Sequence, residues 1–337
     1  MMSDGWHNLW IFLHFYGIIN CRIIAEVSSL DSLMQQIIDE IKKNIKGKDE
    51  VIAQVLCAML AGGHVLLEDI PGVGKTTLAV SVSEAMSLSY KRVQFTPDVM
   101  PSDITGFSMF NPQSREFEYH QGAAMCNLLL ADEINRTSPK TQSALLEIME
   151  EGKVTVDGIT HFIPKPFFVI ATQNPFGSAG TQRLPESQLD RFMIRLSVGY
   201  PSHDSSVDIL KSDNPFNKIQ AVIDTNRFTA IQETVAGLHV DDAVYDFIVN
   251  LAEASRNNEY IGLGISPRGT KALLRMSKAY AYMNGKDYVG MDDVVANLVP
   301  VLSHRIVLNS RAKAKDIDVV SLLRAMQNEV KVAKISF

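Results

Sequence analysis

The feature that most constrains this chain is a glycine-rich turn that joins an apolar strand to a helix. The strand pattern spans His64–Glu68, the helical pattern spans Leu78–Met86, and the turn between them ends in Pro-Gly-Val-Gly-Lys-Thr-Thr. A turn of this kind directs backbone N–H groups and the positive end of a helix dipole at one point, where an anion is stabilised. The arrangement therefore predicts a phosphate-binding loop in an α/β fold.

The predicted nucleotide contacts are the residues of this loop and of the helix start. They are Pro71, Gly72, Val73, Gly74, Lys75, Thr76 and Thr77. We expect Lys75 to reach the β- and γ-phosphates of ATP, and the Thr76 hydroxyl to help to hold Mg²⁺. Asp69 stands where the pattern G-x-x-x-x-G-K-[ST] has its first glycine. Because Asp tolerates unusual backbone angles better than most residues, we expect the turn to form.

Polar residues also follow two later apolar strands, Asn127–Ala131 and Phe167–Ala171. We expect Asp132 to bind Mg²⁺, directly or through water, and Glu133 to orient and deprotonate the water that attacks the γ-phosphate. Acidic pairs at strand ends are common, so this pair indicates a nucleotide site only because a phosphate-binding loop precedes it. Asn174 is predicted to contact the γ-phosphate or the attacking water, and the alternative is a simple Asn-Pro turn.

Arg191 is a candidate for stabilising charge in the transition state. It directly precedes the fifth predicted strand, and at a subunit edge it would act on a neighbour's ATP as an arginine finger does. The alternative is a surface salt bridge with Asp190 or Glu186. Arg183 and Arg195 are weaker candidates for the same role.

Arg268 is the second candidate arginine. Ser266 and Pro267 are typical of a helix start, with Ser as the N-cap and Pro in the first turn. Arg268 therefore lies in the first turn of a helix, from which it would reach phosphate in the sensor-2 role. The alternative is a solvated surface arginine, and Arg136 is a weaker candidate.

Five predicted strands of nearly pure aliphatic character are separated by helices, which favours a parallel sheet covered on both faces. The strands are His64–Glu68, Val93–Phe95, Asn127–Ala131, Phe167–Ala171 and Met193–Val198. Turn signals between alternating segments predict two hairpins, at residues 106–121 and 153–163.

After Tyr200–Pro201 the strand patterns stop, and residues 203–310 show helical patterns only. The predicted helices are Asp241–Arg256, Pro267–Asn284 and Met291–Asn309. We therefore expect an α/β core over residues 30–201 and a helical region over residues 202–337, preceded by an extension of residues 1–29.

Composition limits the classes of function. Hydrophobic residues make up 46% and charged residues 21% of the chain, as in a soluble globular protein. The net charge of −6 argues against a broad electrostatic grip on nucleic acid, which needs a basic face. Cys21, Cys57 and Cys126 lack C-x-x-C spacing, so neither a disulfide framework nor a zinc site is predicted. A reducing compartment, the cytoplasm, fits this pattern.

The N-terminal extension has no clear role. Trp6–Ala25 is rich in aromatic and aliphatic residues, but its longest apolar run is far shorter than a membrane span. It also lacks the basic region and the cleavage site of a signal peptide. The interpretations are a non-functional extension or a mispredicted start, a segment that docks on a membrane surface or a partner, and a signal anchor.

Three stretches taken together resemble the MoxR family of AAA+ ATPases. They read HVLLEDIPGVGKT at 64–76, ADEINRTSPKTQSALLE at 131–147 and LPESQLDRF at 184–192. The resemblance covers about residues 30–330, and Asp-Glu-Ile-Asn-Arg is its most specific part. Gln182-Arg183 stands where the family often has Tyr-Pro, a departure that leaves the expected mechanism unchanged.

The resemblance implies a five-stranded AAA+ core, an all-helical lid domain and hexameric rings with ATP bound between subunits. It assigns the hairpin at 106–121 to a helix-2 insert and that at 153–163 to a pre-sensor-1 hairpin. It also implies a chaperone-like role in maturing other protein complexes, often with a partner that contains a von Willebrand factor A domain.

Three functions are compared on these residues. The first is a Mg²⁺-dependent ATP hydrolase that remodels or assembles partner protein complexes, the second is an AAA+ nucleic-acid motor, and the third is a small-molecule kinase. The tips of both hairpins, at 111–115 and 157–158, are not rich in basic residues, so no nucleic-acid partner is expected. A kinase would leave Arg191, Arg268 and the helical region unexplained. The first function is therefore favoured.

Replacement of Lys75 by Ala should abolish nucleotide binding, because the backbone amides of the loop alone cannot neutralise the phosphate charge. Titration of the variant with a fluorescent ATP analogue measures the effect. Near-normal affinity would contradict the assignment of the loop.

Overall fold

The computed structural model describes residues 32–70, 72–174, 183–211 and 217–330. The predicted extension with its Trp6–Ala25 segment lies outside these ranges, as does Pro71. No helix within them combines the length and the apolar character needed to cross a membrane.

Five parallel strands form the central sheet. In chain order they are β1 (Val65–Glu68), β2 (Tyr90–Gln94), β5 (Leu128–Asp132), β8 (Phe168–Gln173) and β9 (Ile194–Leu196). Their order across the sheet is β2-β5-β8-β1-β9, and every neighbouring pair is parallel. This confirms the predicted five-stranded parallel sheet. The carboxyl ends of all five strands consequently meet at one edge, the place where α/β proteins bind ligands.

The helices that surround and follow the sheet account for most of the remaining described residues. In the sheet region they are α1 (Ser32–Lys42), α2 (Asp49–Leu60), α3 (Lys75–Ala85), α4 (Pro101–Thr105), α5 (Pro139–Glu151), which follows a 3₁₀ turn at Ile134–Arg136, and α6 (Glu186–Leu189). After it come α7 (His203–Lys211), α8 (Thr225–Ala236), α9 (Asp242–Asn257), α10 (Pro267–Met283), α11 (Met291–Leu302), α12 (Ser310–Ala314) and α13 (Val319–Glu329).

Side chains of the sheet alternate between two hydrophobic cores, as the two-residue period of a strand requires. In β1, Val65 and Leu67 join one core, which continues into the helices after residue 203. Leu66 joins the other core, which lies against α5. Phe168 of β8 packs edge-to-face on Phe228 of α8, with ring centroids 5.8 Å apart. The helical region therefore packs directly on one face of the sheet.

Both predicted hairpins are present. Strand β3 (Gly106–Asn111) pairs with β4 (Glu116–Gln121), and β6 (Lys153–Val156) pairs with β7 (Ile159–Phe162). The two hairpins contact each other where Tyr119 stacks on His161, with centroids 3.7 Å apart.

The prediction of helices alone after residue 203 is wrong in detail. The structure contains two short strand pairs there, β10 (His239–Val240) with β12 (Tyr288–Val289) and β11 (Ile261–Leu263) with β13 (Val307–Leu308). The predicted helix Met291–Asn309 ends at Leu302 instead. Past Leu302 the chain turns, and the buried side chain of Arg305 donates hydrogen bonds to the carbonyl oxygens of Met193 and Phe192.

The first hairpin is anchored at its base by Gly122. A Cβ atom at this position would lie 2.3 Å from the Gly106 nitrogen and 2.3 Å from the Ile104 oxygen, and both are backbone atoms. Gly122→Ala should therefore lower the free energy of unfolding by about 1–3 kcal/mol, the scale of overpacking. Denaturant titration measures it. The matched control is Gly237→Ala, where the nearest atom lies at 3.5 Å; equal stability of the two variants would contradict the clash.

Candidate active site

The glycine-rich loop leads from the carboxyl end of β1 into α3. Gly72 and Gly74 have φ of +85° and +93°, a left-handed conformation that glycine adopts without steric cost. Helix α3 begins at Lys75, so the unpaired N–H groups of its first turn, which includes Thr76 and Thr77, face the loop. This is the geometry of a phosphate site at a helix N-terminus. Val73 is partly buried.

The Lys75 ammonium group folds back over the loop. Its Nζ donates a hydrogen bond to the Asp69 carbonyl oxygen at 2.9 Å. Burial lowers the pKa of Lys75, and the negative charges of Asp132, Asp69 and Glu133 oppose that shift. Lys75 therefore lies within the electrostatic field of the carboxylate pair that ends β5.

Asp69 acts through its carboxylate and not through an unusual backbone conformation. It is absent from the described residues that have positive φ, so the expectation based on unusual backbone angles gives the wrong reason. Its Oδ2 accepts hydrogen bonds from the Gly199 N–H at 2.6 Å and the Ser197 hydroxyl at 3.1 Å. Its Oδ1 accepts from the Ile70 N–H at 3.0 Å. The carboxylate thus fastens the start of the loop to the chain that follows β9.

The carboxylate of Asp132, the last residue of β5, is fixed by two neighbouring strands. Its Oδ1 accepts a hydrogen bond from the Thr172 hydroxyl of β8 at 2.6 Å. Its Oδ2 forms an ion pair with Arg92 of β2 at 2.7 Å. The Thr172 hydroxyl oxygen also accepts from the Glu133 backbone N–H at 2.9 Å. One threonine therefore holds both members of the acidic pair.

Glu133 leaves the strand in a left-handed conformation, with φ of +58°. Its Oε2 accepts hydrogen bonds from Gln94 Nε2 at 2.9 Å and from Arg136 Nη1 at 2.7 Å. Arg136, a weaker candidate from the sequence, thus binds the carboxylate predicted to act as the base.

Asn174 directly follows β8, the strand between β5 and β1. Its carbonyl oxygen accepts a hydrogen bond from Asn135 Nδ2 at 3.5 Å. Because the strands are parallel, the sheet brings Lys75, Asp132, Glu133 and Asn174 to one edge.

Arg191 and Arg268 meet elsewhere, on a carboxylate that the sequence analysis did not select. Glu150, in the last turn of α5, binds Arg191 through Oε2 at 2.8 Å and Arg268 through Oε1. Arg191 Nη1 also donates to the Leu146 carbonyl oxygen at 2.9 Å. The two arginines, 77 positions apart in the chain, therefore form one cluster.

The salt bridge considered from the sequence, between Arg191 and Asp190 or Glu186, is replaced by this pair with Glu150. Asp190 has other partners, since its Oδ1 binds Arg305 Nε at 2.8 Å and its Oδ2 accepts from the Ser266 hydroxyl at 2.8 Å. Burial lowers the pKa of Arg305 to about 10, and the negative charge of Asp190 partly opposes this shift.

The two arginines line a cleft of about 350 Å³ at the amino edge of the sheet, the edge at which the parallel strands begin. Gly63 and Met193, which precede β1 and β9, also line it. Because a four-residue strand spans about 13 Å, this cleft lies at the far end of β1 from the phosphate-binding loop. Its charged lining residues are Arg191, Arg268, Lys271, Arg275, Arg305, Glu150 and Asp190. Cationic side chains thus outnumber carboxylates by three, which gives the cleft a net positive charge.

The other arginine candidates lie outside the cleft lining. Arg195 forms an ion pair with Glu68 Oε2 at 3.1 Å, and Glu68 ends β1 beside the phosphate-binding loop. Arg183 is exposed.

Four residues with direct contacts to the predicted site were missed: Arg92, Gln94, Thr172 and Glu150. Arg92 and Gln94 share one face of β2, so polar residues two apart on a strand beside an acidic pair were an available signal. Thr172 offered a weaker signal, as a polar residue near the end of a buried strand. Glu150 offered none, because its partners are distant in sequence.

Family comparison agrees with the fold described above. Residues 64–194 match the model of the ATPase family associated with various cellular activities (AAA). Residues 253–326 match the AAA lid domain. The parallel sheet with its glycine-rich loop, followed by the helical lid, is thus an AAA+ ATPase fold.

Similarity to individual proteins is also extensive. The chain is 44% identical to the uncharacterized protein YeaC of Bacillus subtilis, over 92% of this chain and 98% of that protein. It is 37% identical to chaperone MoxR1 of Mycobacterium tuberculosis, over 88% of this chain and 80% of that protein. The crystal structure of a candidate ATPase from Cytophaga hutchinsonii superposes with a TM-score of 0.84 at 32% identity, covering 94% of this chain and all of that one. The chain belongs to the MoxR family of AAA+ ATPases.

Proposed function

We propose that this protein is a Mg²⁺-dependent ATP hydrolase of the MoxR type that remodels or assembles partner protein complexes. The observation that carries the proposal is the meeting of Lys75, Asp132, Glu133 and Asn174 at the carboxyl edge of the sheet. These residues supply a cation for phosphate, a hard oxygen ligand, a general base and a polar contact for the γ-phosphate.

The oxygen atoms at this edge fit Mg²⁺. No described group of three or more His, Cys, Asp and Glu could hold a metal ion alone. Mg²⁺ needs no such group, because proteins bind it through one or two carboxylates together with substrate phosphates. Asp132 and the Thr76 hydroxyl are the residues that would hold it, and it would neutralise charge on the phosphates. Arg92 pairs with Asp132 Oδ2 and balances part of the negative charge of that carboxylate.

Glu133 is the proposed general base. Gln94 and Arg136 both donate to its Oε2, which leaves Oε1 to accept a proton from water. Its backbone N–H is bound to Thr172, so the residue that holds Asp132 also fixes where the base stands.

The cleft at the amino edge is proposed to serve a neighbouring subunit. The length of β1 separates Arg191 and Arg268 from the loop of their own chain. An excess of cations at a surface cleft suits the polyphosphate of a second subunit's ATP. Arg191 would then be an arginine finger and Arg268 the sensor-2 residue, in a ring whose expected size is a hexamer.

The two hairpins favour a protein client. Large apolar side chains are exposed on both of them: Phe107, Met109, Phe110, Phe117, Ile159 and Phe162. Such residues suit contact with protein better than contact with a phosphate backbone, which requires cationic side chains. A chaperone-like role in the cytoplasm, with a von Willebrand factor A domain protein as partner, is the form of this proposal that the family resemblance suggests.

Glu133→Gln should bind ATP normally and hydrolyse it at least about 100-fold more slowly, because the amide cannot take a proton from water. Phosphate release and nucleotide affinity, measured on the same preparation, separate the two effects. Turnover at the wild-type rate would exclude Glu133 as the base.

The same variant tests the client proposal, since it should remain in its ATP-bound state. A pull-down with Glu133→Gln in ATP should retain a client complex that Lys75→Ala, which should not bind nucleotide, does not retain. Equal recovery with both variants would contradict nucleotide-dependent remodelling.

Arg191→Ala should spare ATP binding and slow hydrolysis by about 10³-fold, the lower end for arginine fingers. The guanidinium would act chiefly on charge that develops in the transition state and add little to ground-state affinity. Mixing Arg191→Ala with Lys75→Ala creates sites that pair an intact loop with a neighbour's intact Arg191, so activity should return.

If mixed rings form but stay inactive, Arg191 does not act between subunits. If Arg191→Ala alone keeps wild-type turnover, the ion pair between Arg191 and Glu150 is only a surface contact. Such a contact contributes only about 0–1 kcal/mol to stability.

A further inference from the structure

Glu150 binds two of the arginines that line the cleft, Arg191 and Arg268. Each of its oxygens accepts from a different guanidinium, Oε2 from Arg191 Nη1 and Oε1 from Arg268 Nη2. A guanidinium carries five N–H donors in a rigid plane. Both arginines can therefore keep their bond to Glu150 and still offer N–H groups to a second anion.

The backbone that carries Glu150 is held on several sides. Helix α5 is capped by Gly152, the residue after its last turn, which has φ of +62° and donates its N–H to the Ile148 carbonyl oxygen at 2.9 Å. The backbone carbonyl oxygen of Met149, the residue before Glu150, accepts a hydrogen bond from His64 Nε2 at 2.9 Å. His64 Nδ1 in turn accepts from the Val169 N–H at 3.0 Å, which fixes the neutral tautomer.

Burial of His64 keeps this arrangement independent of pH near neutrality. Desolvation lowers the pKa of its imidazole to about 4, so the ring stays neutral and Nε2 remains a donor. The end of α5 is thus tied to β1 and β8 of the sheet. Because the backbone of Glu150 is anchored in this way, its carboxylate can hold the long side chains of Arg191 and Arg268 in one place.

The elements that carry the two arginines are joined a second time through Asp190. Its backbone directly precedes Arg191, and its Oδ2 accepts from the hydroxyl of Ser266, the N-cap of α10. Arg268 lies in the first turn of that helix. The separation of the two guanidinium groups is therefore set both by their backbones and by Glu150.

We propose that Glu150 is a positioning residue that holds Arg191 and Arg268 together, ready to bind the phosphate groups of ATP on a neighbouring subunit. The inference rests on the proposed function, in which these arginines act between subunits. Glu150 itself does not touch the nucleotide. Its role is to convert two flexible side chains into one preorganised anion receptor, because a misplacement of about 1 Å can cost 100-fold in rate.

The test compares Glu150→Ala and Glu150→Gln with Glu147→Gln, an exposed carboxylate one turn earlier on the same helix. Glu150→Ala should lower turnover by about 10- to 100-fold while ATP affinity and ring assembly stay unchanged. Glu150→Gln should fall between Ala and wild type, since its amide oxygen can still accept from one arginine. Glu147→Gln should match wild type.

Mixing experiments show in which half-site Glu150 acts. Glu150→Ala mixed with Lys75→Ala should recover activity, because some sites pair an intact loop with an intact arginine pair. Glu150→Ala mixed with Arg191→Ala should not recover, since every subunit then offers a defective arginine pair. Glu150→Ala should lower turnover much less when it is added to Arg191→Ala than when it is made in the wild-type protein.

Several outcomes overturn the inference. Wild-type turnover in both Glu150 variants would show that the ion pairs are surface contacts only, and faster turnover would show that Glu150 competes with phosphate for the arginines. A variant that loses ATP affinity or assembly would indicate a structural role. If Arg191→Ala is itself fully active, the proposed function fails as well, which separates the two conclusions.

Discussion

The parallel pairing of β1 with β8 and β9 is the constraint on which both edges of this molecule depend. It places the phosphate-binding loop, the acidic pair and Asn174 at the carboxyl ends of their strands. The same pairing places Gly63 and Met193, and with them the arginine cleft, at the amino ends. The four residues of β1, three of them buried, lie between the two sites. Both sites would therefore act on one ATP only if it lay between two subunits, as the proposed function requires.

Polar contacts between strands, more than the loop alone, define the carboxyl edge. Thr172 binds Asp132 and the Glu133 backbone, Arg92 binds Asp132, and Gln94 binds Glu133. These side chains come from the two strands that flank β5. Removing a charged partner from a buried carboxylate is costly. The acidic pair is thus held in place by side chains of the protein itself.

The sequence was most informative where local pattern and tertiary packing agree. Helix α10 was predicted as Pro267–Asn284 and spans Pro267–Met283, because the Ser266 side chain caps its first turn as the Ser-Pro pattern indicates. Strand β2 was predicted only as Val93–Phe95 and spans Tyr90–Gln94. As an edge strand it carries polar residues, which hide the aliphatic signal. The role of Glu150 was not predictable, since it depends on two arginines that only the folded chain brings near it.

Helix α5 connects the two edges of one subunit. It starts just after the 3₁₀ turn that follows Glu133 and ends at the residue after Glu150. Gln142 Nε2 donates to the Ile134 carbonyl oxygen at 3.0 Å, which fastens the first turns of the helix to the chain beside the acidic pair. Eight residues of helix separate Gln142 from Glu150, about 12 Å at the usual rise. A shift of the chain beside Glu133 would therefore be carried along this helix to Arg191 and Arg268, which the proposed function places against the ATP of the next subunit.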